Sequence, residues 1–135
     1  VAVRDEGTSY HYLPPAREVR VDGDTVSAIV RVLMRHNVPY DVVKTWTTDG
    51  IYRETRQRIA RRRAEGCDCV EMEASALLAV AQYREVSLGL VLYGGDDVSG
   101  EEWDSRDWFR DGSTRQRLFW LAAEAVFDLP EARRA

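Results

Sequence analysis

The 135 residues suit one domain with a single sizeable core, and 44% hydrophobic with 31% charged residues is ordinary for a soluble globular chain. A net charge of -4 argues against nucleic acid as a partner, because phosphate neutralisation needs clustered Lys and Arg. No apolar stretch approaches the roughly 20 residues of a membrane span, and no signal-peptide pattern opens the chain, so a cytoplasmic protein without a membrane partner is expected.

Val1 to Arg4 reads as a strand, followed by a polar loop through Gly7, Thr8 and Ser9. Pro14-Pro15 blocks helix and holds the chain extended. Asp22-Gly23-Asp24 signals a helix start, and Val26, Ile29, Val30, Leu33 and Met34 follow at spacings of three and four, one amphipathic face. Asn37 and Pro39 end that helix, with His36 at its C-terminal turn. Tyr40 to Thr47 is β-branched and aromatic and predicts a strand. A charged helix is expected from about Tyr52 to Ala64, stopped at Gly66, with the basic run Arg58 to Arg63 as a solvated face.

Cys67 to Met72 predicts a short strand. Cys67 and Cys69 are too close for a normal disulfide and lack further zinc ligands, so they read as small apolar core residues. Ala74 to Arg84 predicts a helix against a sheet. Val86 to Tyr93, almost continuously apolar, predicts a strand covered on both faces. Gly94 to Gly112 reads as an acidic loop carrying Trp103, Trp108 and Phe109. A last helix is expected over Ser113 to Phe127, with Leu118, Leu121, Ala122, Ala125 and Val126 inward. Strands alternating with helices point to an α/β architecture with a largely parallel sheet and no internal boundary.

In open α/β sheets ligands bind beyond the carboxyl ends of strands. Three such ends are polar here: Thr47-Thr48-Asp49, Glu71-Met72-Glu73 and Gly95-Asp96-Asp97. Carboxylates there need a partner or a task. Glu71 and Glu73 can serve as caps for the helix at Ala74, where acids favour the positive helix end, and composition alone favours that plain role. Asp96-Asp97 can likewise be turn residues.

Read together, the local sequences carry more. Val70-Glu71-Met72-Glu73-Ala74 resembles a signature of the nucleoside phosphorylase family that includes the uridine and bacterial purine nucleoside phosphorylases. Arg4 to Tyr12, Thr48-Asp49-Gly50-Ile51-Tyr52 and Gly95 to Gly100 resemble three further family segments, in family order and spacing. The resemblance implies the C-terminal portion of one three-layer α/β/α phosphorylase-type domain, its central twisted sheet largely parallel or mixed. It implies an enzyme of pentosyltransferase type that needs no cofactor and no metal. Its partners would be a small nucleoside and, as co-substrate, inorganic phosphate, and the intact protein would be a homo-oligomer between dimer and hexamer.

Residue by residue, the resemblance implies that Glu73 binds the ribose hydroxyls, Met72 packs beneath the sugar and Glu71 lines the same site. Tyr52, Ile51 and Gly95 fall at the base, and Asp96 matches the acid that protonates the departing base. Gly95 stands where many members carry Ser, and Ile51 where the residue is often aromatic. Thr55, Arg56 and Gln57 do not register onto the pair that reads a pyrimidine edge, so base specificity stays open. The family's Gly-rich phosphate loop has no counterpart, and Gly94-Gly95 is followed by acids. The expectation is therefore an incomplete domain, inactive alone. A nucleosidase using water, or a non-catalytic nucleoside-binding module, would share the same segments.

Overall fold

The computed structural model describes residues 1–107, 110 and 112–129. Trp108 and Phe109 of the expected acidic loop lie outside the described residues. The chain falls into two compact units, Val1–Val21 with Val42–Leu88 and Asp22–Asp41 with Gly89–Ala135.

The first unit is built on a four-stranded mixed sheet in the order β2-β1-β3-β4: β1 Ala2–Asp5, β2 Glu18–Val19, β3 Thr45–Thr48 and β4 Cys69–Glu71. β2 runs antiparallel to β1, while β3 is parallel to both β1 and β4. The register aligns Val3 with Trp46 and Trp46 with Val70, so these three share one face. That face packs on Ile59 and Cys67. Ile59 belongs to α2, Arg56–Ala64. The alternate residues Thr45, Thr47 and Glu71 point to the opposite face, toward α3, Ala74–Tyr83. Within this unit the sheet is thus covered by a helix on each side, the α/β arrangement expected.

Three boundaries differ from the expectation. Instead of Tyr40 to Thr47 the strand is Thr45–Thr48; Tyr40 and Val42 are exposed and join no ladder. β propensity expresses fit to a half-buried pleated surface, and those residues have none to fit. The charged helix starts at Arg56, not Tyr52, because the Thr55 side chain caps it by accepting from the Arg58 N–H, and Ile51–Arg53 forms a separate 3-10 turn. β4 is trimmed to Cys69–Glu71. Gly66 stops α2 with φ +83, the Cys67 N–H bonding back to Arg62 and the Gly66 N–H to Arg63.

The basic run is not wholly solvated. Arg62 is 5% exposed, lies over the Trp46 ring and pairs with Asp5 at 2.7 Å and Glu65 at 2.9 Å. Asp5 also accepts from Arg58 and from the Trp46 indole N–H. Cys67 is buried and Cys69 half-buried, both as free thiols whose pKa is pushed up by burial.

The second unit pairs α1, Gly23–Arg35, with α4, Gly112–Phe127. Val32 and Leu33 pack on Leu121 and Ala125, with Ile29, Val38 and Leu118 around them. The inward face of α1 is Thr25, Ala28, Val32 and Leu33, so Met34 is exposed against expectation. In α4, Ala122 and Val126 also face outward, because a two-helix contact covers a narrower stripe than a helix laid on a sheet. Arg35 and His36 both engage Glu124 across this pair.

Val86 to Tyr93 forms no strand. Its residues alternate between half-buried and exposed from Val91 to Asp96, as in extended chain, but a ladder needs a neighbouring strand, and among the described residues none pairs with it. Gly89 passes so close to α1 that a Cβ there would meet Thr25 and Ile29 at 2.5 and 2.6 Å. No described helix is long and apolar enough to cross a membrane.

Candidate functional site

Parallel pairing brings the carboxyl ends of β1, β3 and β4 to one edge of the sheet, with Asp5 level with Thr48 and Thr47 level with Glu71. The loops leaving those ends open on polar residues and glycines: Glu6 and Gly7 after β1, Asp49 and Gly50 after β3, and Glu73, beyond Met72, after β4. The Gly7 N–H donates to Asp49 at 3.1 Å, tying two of these loops together.

The two glutamates of the third loop do different work. The first N–H groups of a helix have no intrahelical acceptor and need one from outside. Glu71 supplies it: one carboxylate oxygen accepts from the N–H groups of Glu73 and Ala74. Its other oxygen accepts from the hydroxyls of Thr45 and Thr47. The next N–H of α3, that of Ser75, donates to the Thr47 hydroxyl oxygen at 2.9 Å. Glu73 occupies the N-cap position yet makes no side-chain cap bond. It is exposed, and no hydrogen bond or ion pair to its carboxylate occurs among the described residues. Met72 beside it is 38% exposed.

Behind this loop lies a buried polar network that composition does not reveal. Glu6, 7% exposed, accepts from the Ser75 hydroxyl at 2.7 Å and the Ser9 N–H at 2.9 Å. Burial alone would raise the Glu6 pKa, but the hydrogen bonds from Ser9 and Ser75 outweigh it and hold the carboxyl below its usual range. Ser9 in turn accepts from Arg4, a 2% exposed guanidinium that also donates to the carbonyls of Leu13 and Pro14 and lies 4.1 Å from the Tyr10 ring centroid. The segment Arg4 to Tyr12 is therefore folded on itself by its own charges. His11, at the end of its 3-10 turn, is exposed.

The base-side candidates lie on other loops. Tyr52 and Ile51 sit in the turn after β3, 96% and 58% exposed. Gly95 and Asp96 belong to the second unit. Asp96 is exposed and accepts a 2.6 Å hydrogen bond from the Trp103 indole N–H. Its neighbour Asp97 bridges to Asp104 through paired backbone bonds and holds Arg106 at 2.7 Å. Hydrogen bonds from Ser99 keep the Asp97 carboxyl below its usual pKa. Among the described residues no group of three or more His, Cys, Asp or Glu is placed to share a metal ion.

Thr47 stood in a polar strand end and Glu6 in a family segment, but the sequence motifs gave neither a role and left Ser75 out. The available signal was the run Thr45-Trp46-Thr47-Thr48 on a buried strand, where hydroxyls demand partners.

A family model described as the phosphorylase superfamily matches residues 1–122. The chain belongs to the phosphorylase superfamily. Among solved structures it is similar to the AMP nucleosidase from Bacteroides thetaiotaomicron VPI-5482, at 19% identity and TM-score 0.69, over 93% of this chain and 48% of that one. It is also similar to the P. knowlesi homolog of P. falciparum PNP, at 20% identity and TM-score 0.57, over 64% of this chain and 36% of that one. At these identities the likeness is one of fold. The chain spans about half the length of the first of these structures. Among curated proteins none matches it.

Proposed function

We propose that the protein carrying this chain is a nucleoside phosphorylase that moves ribose from a purine or pyrimidine base to inorganic phosphate. The products are the free base and ribose 1-phosphate, within cytoplasmic nucleoside salvage, and the working form is a homo-oligomer. The observation that carries this reading is the unpartnered, exposed Glu73 carboxylate. Capping of α3 is done by Glu71 and Thr47 instead. An acceptor left free at a sheet's carboxyl edge suits the neighbouring hydroxyls of ribose, since one ionised carboxylate accepts from both. Negative charge beside the sugar also favours the oxocarbenium-like ribose that forms as the bond to the base breaks.

In this reading Met72 packs against the sugar, and Tyr52, Ile51 and Gly95 serve the base. Asp96 supplies the proton that the departing base needs, its carboxyl oriented by Trp103. Phosphate is the nucleophile and attacks the anomeric carbon.

Incubation of the purified protein with inosine or uridine, with and without phosphate, tests the proposal. Ribose 1-phosphate and free base should form only when phosphate is present. Free ribose released at an unchanged rate without phosphate would overturn it in favour of a nucleosidase. Saturable nucleoside binding with no bond cleavage in either condition would make the chain part of a binding module.

A further inference from the structure

From the hydrogen-bond network behind the β4–α3 loop we infer that Thr47 and Glu71 are positioning residues that hold Glu73 for ribose, with Ser75 and Glu6 as their support. The inference rests on the assignment of Glu73 to the sugar and adds residues to it.

Three observations carry it. The first is saturation. Both Glu71 oxygens are taken, one by the Glu73 and Ala74 N–H groups and one by the Thr45 and Thr47 hydroxyls. A carboxylate so engaged is a fixture of the loop, and its geometry sets the backbone of the residue after Met72. The second is burial. Thr47 is 0% and Ser75 0% exposed, so the bond from the Ser75 N–H to the Thr47 hydroxyl exchanges with no water. The Thr47 hydroxyl donates its one proton to Glu71 and accepts from Ser75, which leaves it a single rotamer that satisfies both. The third is continuity. Ser75 donates onward to Glu6, which is anchored by the Ser9 N–H. The start of α3 is therefore gripped from β3, β4 and the loop after β1 at once. Glu73 lies inside that grip, its N–H bound and its carboxylate free. Such a frame fixes where the free carboxylate points, and a small displacement at that point is costly in binding a diol.

Thr47→Val keeps the side chain's shape and removes both bonds. Affinities for inosine, uridine and their 2′-deoxy counterparts, measured by equilibrium titration without phosphate, should show a loss of about 10-fold for the ribonucleosides. The 2′-deoxy compounds should lose markedly less, since they make less use of Glu73. Thr47→Ser should restore the wild-type preference. Glu71→Gln, which leaves the Thr47–Ser75 bond in place, should reproduce the Thr47→Val pattern and stands in if that variant does not fold. Glu73→Ala, run in parallel, should erase the preference for the ribonucleoside. If Glu73→Ala erases it but Thr47→Val and Glu71→Gln bind as wild type, or lose both sugar types equally, the positioning role is overturned while the ribose assignment stands. If Glu73→Ala leaves the preference unchanged, the ribose assignment itself fails and the positioning role falls with it.

Discussion

Glu6 shows how a single buried charge is made tolerable. A carboxylate removed from water is costly unless its oxygens are satisfied, and here each oxygen has a donor, Ser75 for one and Ser9 for the other. Those bonds favour the charged form strongly enough to lower the pKa despite burial. The consequence for stability has a definite sign. With the folded value below the ordinary 4.5, the unfolded chain takes up a proton first as the solution is acidified. The contribution of Glu6 is therefore complete above about pH 4.5 and lost as pH falls through the lower folded value. Glu6→Gln should be less stable near neutrality, by about 1.5–3 kcal/mol for the charged hydrogen bonds lost. Its stability should also decline less than that of the wild type between about pH 5 and about pH 3. Urea unfolding of both proteins across that range checks it; parallel curves would mean that folding leaves the Glu6 pKa unchanged. None of this was legible from Arg4-Asp5-Glu6, three charges in a row where a strand gives way to a loop. Each is held by a partner distant in sequence or by the folding of its own segment.

At the scale of elements, helix ends were more legible than strand ends, and the reason is local. α1, α2 and α3 stop through the same backbone arrangement, a residue with positive φ just beyond the cap: Asn37 at φ 51, Gly66 at φ 83 and Glu85 at φ 56. Gly66 and Asn37 are residue types that adopt this conformation readily, and they punctuate the sequence visibly. Glu85 does not, yet its N–H bonds to Gln82 and the Val86 N–H to Ala81, completing the same motif. A side chain with a Cβ is strained there, so Glu85→Gly should stabilise the first unit by about 1 kcal/mol. A urea midpoint that rises with unchanged m-value would agree, and an unchanged or lower midpoint would show that the strain is absorbed elsewhere. Strands carry no such terminal marks. Tyr40 to Val43 and Val86 to Tyr93 have strand composition without a strand's partners, and composition cannot report whether a neighbour is present.

At the scale of the whole molecule, the proposed chemistry divides its roles between residues far apart in the chain, and kinetics can separate them. Removing the proton donor should hurt most where the leaving base most needs a proton. Asp96→Asn should therefore slow purine ribonucleosides by about 10²–10⁴-fold and pyrimidine ones less, with KM little changed. Rates for inosine and uridine, each compared with its 2′-deoxy form, provide the measurement. An equal loss on all four substrates would mark Asp96 as a fold residue, its bond to Trp103 serving the loop alone.

By itself the sequence determined the α/β class, the four helices, the strand cores at Ala2, Trp46 and Val70, and the family segments that span most of the chain. Those properties rest on residues near one another, on periodicity and on short motifs, where local sterics and burial act directly. The tertiary structure alone decided which glutamate of Glu71-Met72-Glu73 caps α3 and which stays free. Both acids stand before the same helix, and either could satisfy its first N–H groups. The outcome depends on Thr45 and Thr47, more than twenty residues earlier, which reach Glu71 only because β3 and β4 pair in parallel register. The fate of the Arg58 to Arg63 run was settled the same way. Arg62 is buried because Asp5 on β1 and Trp46 on β3 meet it, and sequence spacing within one helix carries no information about them.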